Sequence, residues 1–284
     1  MGEDKNMSPY IVCLSFDFDA ASSWIVNGRT TPTMMSRGEF GAVGAPRILN
    51  LLQEYNIMSS WFIPGVTLYS YPEVCERIAA GGHEIGHHGW SHIPPTGLSR
   101  EEEHEQLIRG NQAIQKLTGK KARGYRSPSW DLSPHSVELL LEEGLLYDSS
   151  MMGNDYMPYP ARTGDVIHPD ARVDFGKPTE LIEMPISWST DDFPHFEYIR
   201  NKGSVLPGLR PGSDVLENWL GDFDYMQQKL DWGILTYTCH PFCIGRGHRM
   251  LMLEKLIVEL MDRGARFLTM EDALAEYQQL RTGE

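Results

Sequence analysis

Eight apolar stretches, at 10–16, 57–63, 83–87, 123–126, 145–148, 181–186, 233–239 and 265–268, are separated mostly by segments of helical periodicity. Strands that alternate with helices pair in parallel, because each helix returns the chain across the sheet to begin the next strand. The expected fold is α/β, either an open parallel sheet or an α/β barrel. No internal repeat, low-complexity block or linker breaks the chain, so residues 1–284 are read as one domain.

Several helices carry their own end signals. Ser99 and Glu102 make a capping-box pattern, Leu107, Ile114 and Leu117 share a face, and Gly119 follows as a stop. Ser133 and Pro134 open the next helix, which runs to Gly144, and a third stripe from Met250 to Met261 ends at Gly264. All three stripes are read as core packing. Two segments interrupt the rhythm, 20–41 and 149–180, and both are expected to be irregular loop insertions flanking a site.

The stretch "IVCLSFDFDA" places Asp17 and Asp19 at the end of a strand that reads as buried. Two close carboxylates in such a place raise each other's pKa and call for a cation or a chemical task, although a turn with both side chains on backbone amides would also accommodate them. Downstream, "GHEIGHHGWSH" spaces His88 and His92 four apart, which lets two imidazoles converge on a metal from a helical turn. Two His and one Asp form a three-ligand set that leaves positions open for water and substrate, and a further Asp beside it suits a general base. "GYRSPSWDLS" and "LTYTCHPFCIGRGHR" also begin where apolar strands end. In a parallel sheet or barrel the carboxyl ends of the strands share one face, so Asp17, Asp19, His88, His92, Arg126 and His240 are expected to gather there.

Composition narrows the partners. A formal charge of −14, from 39 acidic and 25 basic residues, disfavours a nucleic-acid groove or an anionic membrane surface. No apolar run approaches the ~20 residues that span a bilayer, and "MGEDKNMSPY" has no apolar signal core. Four cysteines in 284 residues make no disulfide framework. The expected location is cytoplasmic. Cys239 and Cys243, flanking His240, are read as buried thiols, and His83 as a core histidine.

The ordered motifs "SFDFDA", "HHGWSH", "RSPSW" and "TCHP" resemble those of the polysaccharide deacetylase family, also called the NodB-homology family or carbohydrate esterase family 4. The resemblance covers about 10–278 and implies a distorted (β/α) barrel of about seven strands. It implies that Asp19, His88 and His92 bind one divalent metal, usually zinc. It further implies that Asp17 is the general base, Arg126 orients it, His240 is the general acid, and Trp130 and Trp188 line the substrate pocket. Phe18 separates the two aspartates, Ala20 stands where Gly is usual, and Gly89 stands where Ser or Thr is usual. With "PISWSTDDFPHF" and "IGRGHR", this form is similar to the branch holding the Helicobacter-type peptidoglycan deacetylase, cyclic imide hydrolases and allantoinases. The function expected is metal-dependent hydrolysis of a non-peptide C–N bond in a small cyclic imide or amide. N-acetyl-sugar deacetylation is the second reading, and a non-catalytic carbohydrate- or ligand-binding protein is the reading from another class. The partner expected is a small-molecule or N-acetyl-sugar substrate, with a homo-oligomer left open.

Overall fold

The computed structural model describes residues 8–201 and 203–282. Residues 1–7, which hold most of the segment read above for a signal core, lie outside the described residues. Eleven strands are present among the described residues: β1 (Tyr10–Asp17), β2 (Ser60–Ile63), β3 (Glu84–His87), β4 (Gly124–Tyr125), β5 (Tyr147–Asp148), β6 (Tyr159–Thr163), β7 (Lys177–Glu183), β8 (Ile199–Asn201), β9 (Ser204–Leu206), β10 (Gly233–Cys239) and β11 (Arg266–Phe267). Each of the eight apolar stretches contains or overlaps one of them. The strands missing from the sequence reading are β6, β8 and β9.

Seven strands run parallel in the order β10-β1-β2-β3-β4-β5-β7, and β6 lies antiparallel on the outside of β7. The short β11 pairs in parallel with the first half of β1, whose second half pairs with β2. The curl is open between β7 and β10, but the chain leaving β7 reaches across it: Asp191 makes a parallel bridge to Thr238 of β10. This is the distorted seven-strand (β/α) barrel that the motifs imply.

β1 and β10 are buried along nearly their whole length, so they read as mostly apolar runs rather than alternating ones. Phe16 stacks on Trp61 at 4.7 Å between β1 and β2, and an apolar core extends from Val12 through Leu52, Leu140 and Trp219 to Leu260. The capping box at Ser99 is formed, with the Ser99 hydroxyl accepting from the Glu102 amide, and Gly119 closes that helix in the left-handed region at φ +81°.

The two segments read as irregular are more ordered than expected. Residues 20–41 hold helices Ser22–Val26 and Pro32–Glu39, of five and eight residues, too short for a periodic signal to register. Residues 149–180 hold β6 and the start of β7. Pro160 hides β6, which lies at the sheet edge, where proline is tolerated, and Pro178 hides the first residues of β7, which pair only with β6.

Helix Gly41–Glu54 packs against the turn that follows β10 so closely that a Cβ on Gly44 would lie 2.0 Å from the Pro241 carbonyl oxygen. Gly44→Ala is therefore expected to cost about 1–3 kcal/mol, read as a lower denaturation midpoint, and to reduce any activity that depends on the adjacent His240. An unchanged midpoint would show that the two elements can separate freely.

Candidate active site

Because the seven strands are parallel, their carboxyl ends lie together. Asp17 is the last residue of β1, His88 follows β3, Arg126 follows β4, Ser149 follows β5 and His240 follows β10. All eight residues singled out from the sequence meet here. Asp17, Asp19, His88, His92, Trp130, Trp188 and His240 line one cavity of about 290 Å³, and Arg126 lies beneath it, fully buried.

Asp17 is held by Arg126, whose Nη1 donates to Asp17 Oδ1 at 2.7 Å and to Ser15 Oγ at 2.9 Å. The rest of the guanidinium is used as well: Nε donates to the Ser149 carbonyl at 3.2 Å and Nη2 to Ser149 Oγ at 3.1 Å. Its face lies 4.2 Å from the Phe62 ring centroid. Satisfied on all sides, Arg126 fixes one oxygen of Asp17 and leaves Oδ2 turned toward His88 Nε2, 3.9 Å away.

Asp19, His88 and His92 present ligand atoms that lie within 4.8 Å of one another. His88 Nε2 is 3.4 Å from Asp19 Oδ1 and His92 Nε2 is 3.2 Å from Asp19 Oδ2. Two further observations fit a cation. Asp19 Oδ1 is buried without a hydrogen-bond partner, and His88 Nδ1 sits 2.6 Å from the Arg126 carbonyl oxygen. That carbonyl accepts only from an N–H, so the Nε2 of neutral His88 carries the lone pair and faces Asp19. Burial alone would raise the Asp19 carboxyl, but the His92 and His88 imidazoles hold it well below the usual carboxylate range.

The two histidines do not lie on a helical turn as expected. They sit on the loop after β3, which turns through Gly89 at φ +70° and His92 at φ +62°. Gly89 is thereby explained, since a side chain there would be strained and its Cβ would meet Pro128 Cγ at 3.1 Å. Ala20 has φ +50°, the conformation that glycine adopts without strain. Ser129 and Trp130 also lie in this region, at +59° and +53°. Backbone strain thus concentrates around the cavity.

His240 is oriented by a residue that sequence reasoning did not single out. Asp192 Oδ1 is 2.7 Å from His240 Nδ1, and both its oxygens accept from the His240 amide at 3.0 Å. Burial opposes a charge on His240, but Asp191 and Asp192 raise its pKa well above the ordinary histidine range. With Nδ1 turned to Asp192, the other ring nitrogen, Nε2, lies 4.0 Å from Asp19 Oδ2. Asp191, Asp192 and His240 also lie close enough to hold an ion, yet Asp192 and His240 are already committed to each other, and Asp19, His88 and His92 fit a metal better. The "TDD" sequence quoted for the resemblance was the available signal.

Trp130 and Trp188 stack at 4.1 Å with 20° between planes and form one wall; Trp130 is buried and Trp188 is half exposed. His83 binds Ser59, and buried His87 contacts the Leu107 carbonyl and the Gly89 amide, so both serve the scaffold. Cys239 and Cys243 are buried free thiols.

The shelf under Arg126 depends on a second buried carboxyl pair. Ser150 Oγ donates to Asp148, and the Ser150 and Met151 amides donate to Glu183 Oε1 at 2.7 Å each. Burial raises both carboxyl groups, Glu183 well above the usual range, helped by the neighbouring Asp148.

Residues 37–147 match the family model described as Polysaccharide deacetylase. The peptidoglycan deacetylase of Helicobacter pylori is 33% identical over 281 residues, covering 94% of this chain and 96% of that protein. A polysaccharide deacetylase-like crystal structure from Mycobacterium smegmatis is 30% identical, with a TM-score of 0.83 over 99% of this chain and 94% of that one. Puue allantoinase, at 20% identity, shares the fold with a TM-score of 0.77 over 97% of this chain and 92% of that one. The family match and these relatives mark the chain as a hydrolase of carbon–nitrogen bonds. The chain belongs to the polysaccharide deacetylase family.

The sign of the pH dependence at the Asp148–Glu183 pair follows from the raised pKa values. Folded Glu183 holds a proton that the unfolded chain releases near pH 4–5, so the stability it contributes is full below that range and declines as pH rises toward the folded pKa. Glu183→Gln removes this term. Urea midpoints between pH 5 and 9 are expected to fall less steeply for the variant than for the parent, and parallel slopes would show that Glu183 is ionised in the fold.

Proposed function

We propose that this protein hydrolyses a C–N bond in a small cyclic imide or amide, with one divalent cation, zinc, held by Asp19, His88 and His92. The observation that carries the substrate size is the cavity, about 290 Å³, walled by the Trp130–Trp188 stack on one side and Trp24 of the Ser22–Val26 helix on another. That volume lies at the lower end of small-molecule sites, about 300–1,000 Å³. Two imidazole nitrogens and one carboxylate oxygen are a zinc-type set with an open position. A cation held there supplies Lewis acidity to the scissile carbonyl and lowers the pKa of water.

The protein's own groups then divide the proton work. Asp17 Oδ2, with its partner oxygen fixed by Arg126, takes a proton from the attacking water. The water oxygen bonds to the carbonyl carbon, and the C–N bond breaks as His240 Nε2 gives its proton to the departing nitrogen. Asp192 keeps His240 in the donating orientation. Trp130 and Trp188 hold the ring over the reacting atoms and exclude water.

N-acetyl-sugar deacetylation remains the second reading, supported by the 33% identity to the Helicobacter pylori peptidoglycan deacetylase. The bonds broken and the proton roles would be the same. The shared core supports reading residues 1–284 as one catalytic unit, and the four buried free thiols fit a reducing, cytoplasmic location.

Three measurements test this reading. Metal analysis should find about one divalent ion per chain, mostly lost in Asp19→Ala or His88→Ala. Full activity in protein stripped of metal contradicts the mechanism. Asp17→Asn should keep the metal while lowering turnover roughly 100-fold or more; loss of metal there would exchange the roles of Asp17 and Asp19. A panel of succinimide- and hydantoin-type rings, allantoin and N-acetylglucosamine oligomers should be turned over mainly at the small rings, whereas acetate release without ring opening would establish the second reading.

A further inference from the structure

Asp191 is 1% exposed, and only one of its oxygens is used. Oδ1 accepts from the Phe193 amide at 2.6 Å, while Oδ2 has no hydrogen-bond partner. The side chain lines the same cavity as Asp17, His240 and the tryptophan stack, and the bridge from Asp191 to Thr238 fixes its backbone. Its neighbour Asp192 is committed to His240 through both oxygens, so the two aspartates have separate tasks. A buried acceptor without a partner is unfavourable, and on a cavity wall it is satisfied when a ligand brings a donor.

Burial pushes the Asp191 carboxyl up to about 8, and the nearby His240 opposes that rise. A divalent ion bound by Asp19, His88 and His92 would add positive charge beside the cavity and favour the ionised, accepting form of Asp191.

We propose that the free Asp191 oxygen accepts a hydrogen bond from the N–H at the scissile nitrogen, which restricts the enzyme to N-unsubstituted imides and secondary amides. This rests on the hydrolase reading above and specifies its substrate. Asp191 lies beside His240, with its Oδ1 3.8 Å from His240 Nδ1. Holding the N–H from that side turns the nitrogen lone pair toward the proton it receives from His240. Asp191 is thus a specificity-determining residue, distinct from Asp192, which acts through the imidazole.

The test compares succinimide with N-methylsuccinimide in the zinc-loaded parent, Asp191→Ala and Asp191→Asn, with tryptophan-fluorescence titration of each ring to read binding apart from turnover. The parent should favour the N–H ring by about 10- to 100-fold in kcat/KM. In Asp191→Ala the ratio between the rings should collapse toward one, with affinity for the N–H ring weakened to match. Asp191→Asn is isosteric and keeps the Phe193 bond through its oxygen. It turns an amide donor toward the substrate, so it should lose the preference too. Equal losses on both rings would reduce Asp191 to a structural or electrostatic support, and parent-like behaviour of Asp191→Asn would make it a donor; either overturns the proposal. If neither ring is hydrolysed but N-acetylglucosamine is, the ring reading fails separately. The same comparison then uses N-acetylglucosamine and its N-methylated acetamide, where an unchanged ratio in Asp191→Ala defeats the Asp191 assignment.

Discussion

The ion pair between Asp17 and Arg126 joins the ends of β1 and β4 across the interior of the curled sheet, with both side chains withdrawn from solvent. Neither charge could remain there alone, since removing one partner of a buried pair costs about 3–5 kcal/mol. The pair is tolerable because Arg126 is satisfied by Ser15, Ser149 and Asp17 together. Those partners come from β1 and from the residue after β5, so the bond network also fixes how the strand ends sit relative to one another. Its chemical consequence is a base with one oxygen immobilised and the other turned toward the ligand cluster.

His240 is held by the same logic in reverse. Two acidic side chains surround one imidazole and favour its charged form, while His88 is held with Nδ1 on a backbone carbonyl and Nε2 toward Asp19. Identical residue types thus differ in what holds Nδ1, a carboxylate in one case and a backbone carbonyl in the other. The curl of the sheet makes this affordable, because the parallel strands end on a single face and each contributes one group.

The site was legible in the sequence where chemistry is tied to strand ends. Asp17, His88, Arg126 and His240 all follow apolar runs, and parallel pairing alone predicts that such ends converge. The helical turn expected for His88 and His92 was misread because the spacing of four is also reached by a loop with two left-handed residues, which no periodicity reports. Asp191 and Asp192 were hidden for another reason. They belong to no predicted strand, and their importance appears only when the chain from β7 bridges to β10. The Pro-containing strand β6 and the short helices of 20–41 were lost to proline and to brevity. Whether a ring or a sugar fills the cavity lies in the shape of its walls, set by side chains distant in sequence such as Trp24, Trp130 and Trp188.

The central claim is a division of labour between two neighbouring aspartates, and anomalous diffraction at the zinc edge from crystals grown with zinc addresses it directly. The account predicts one strong peak about 2.0–2.2 Å from Asp19 and from Nε2 of His88 and His92, with Asp17 still bonded to Arg126 and outside the coordination sphere. A peak ligated by Asp17, or one placed among Asp191, Asp192 and His240, would contradict it.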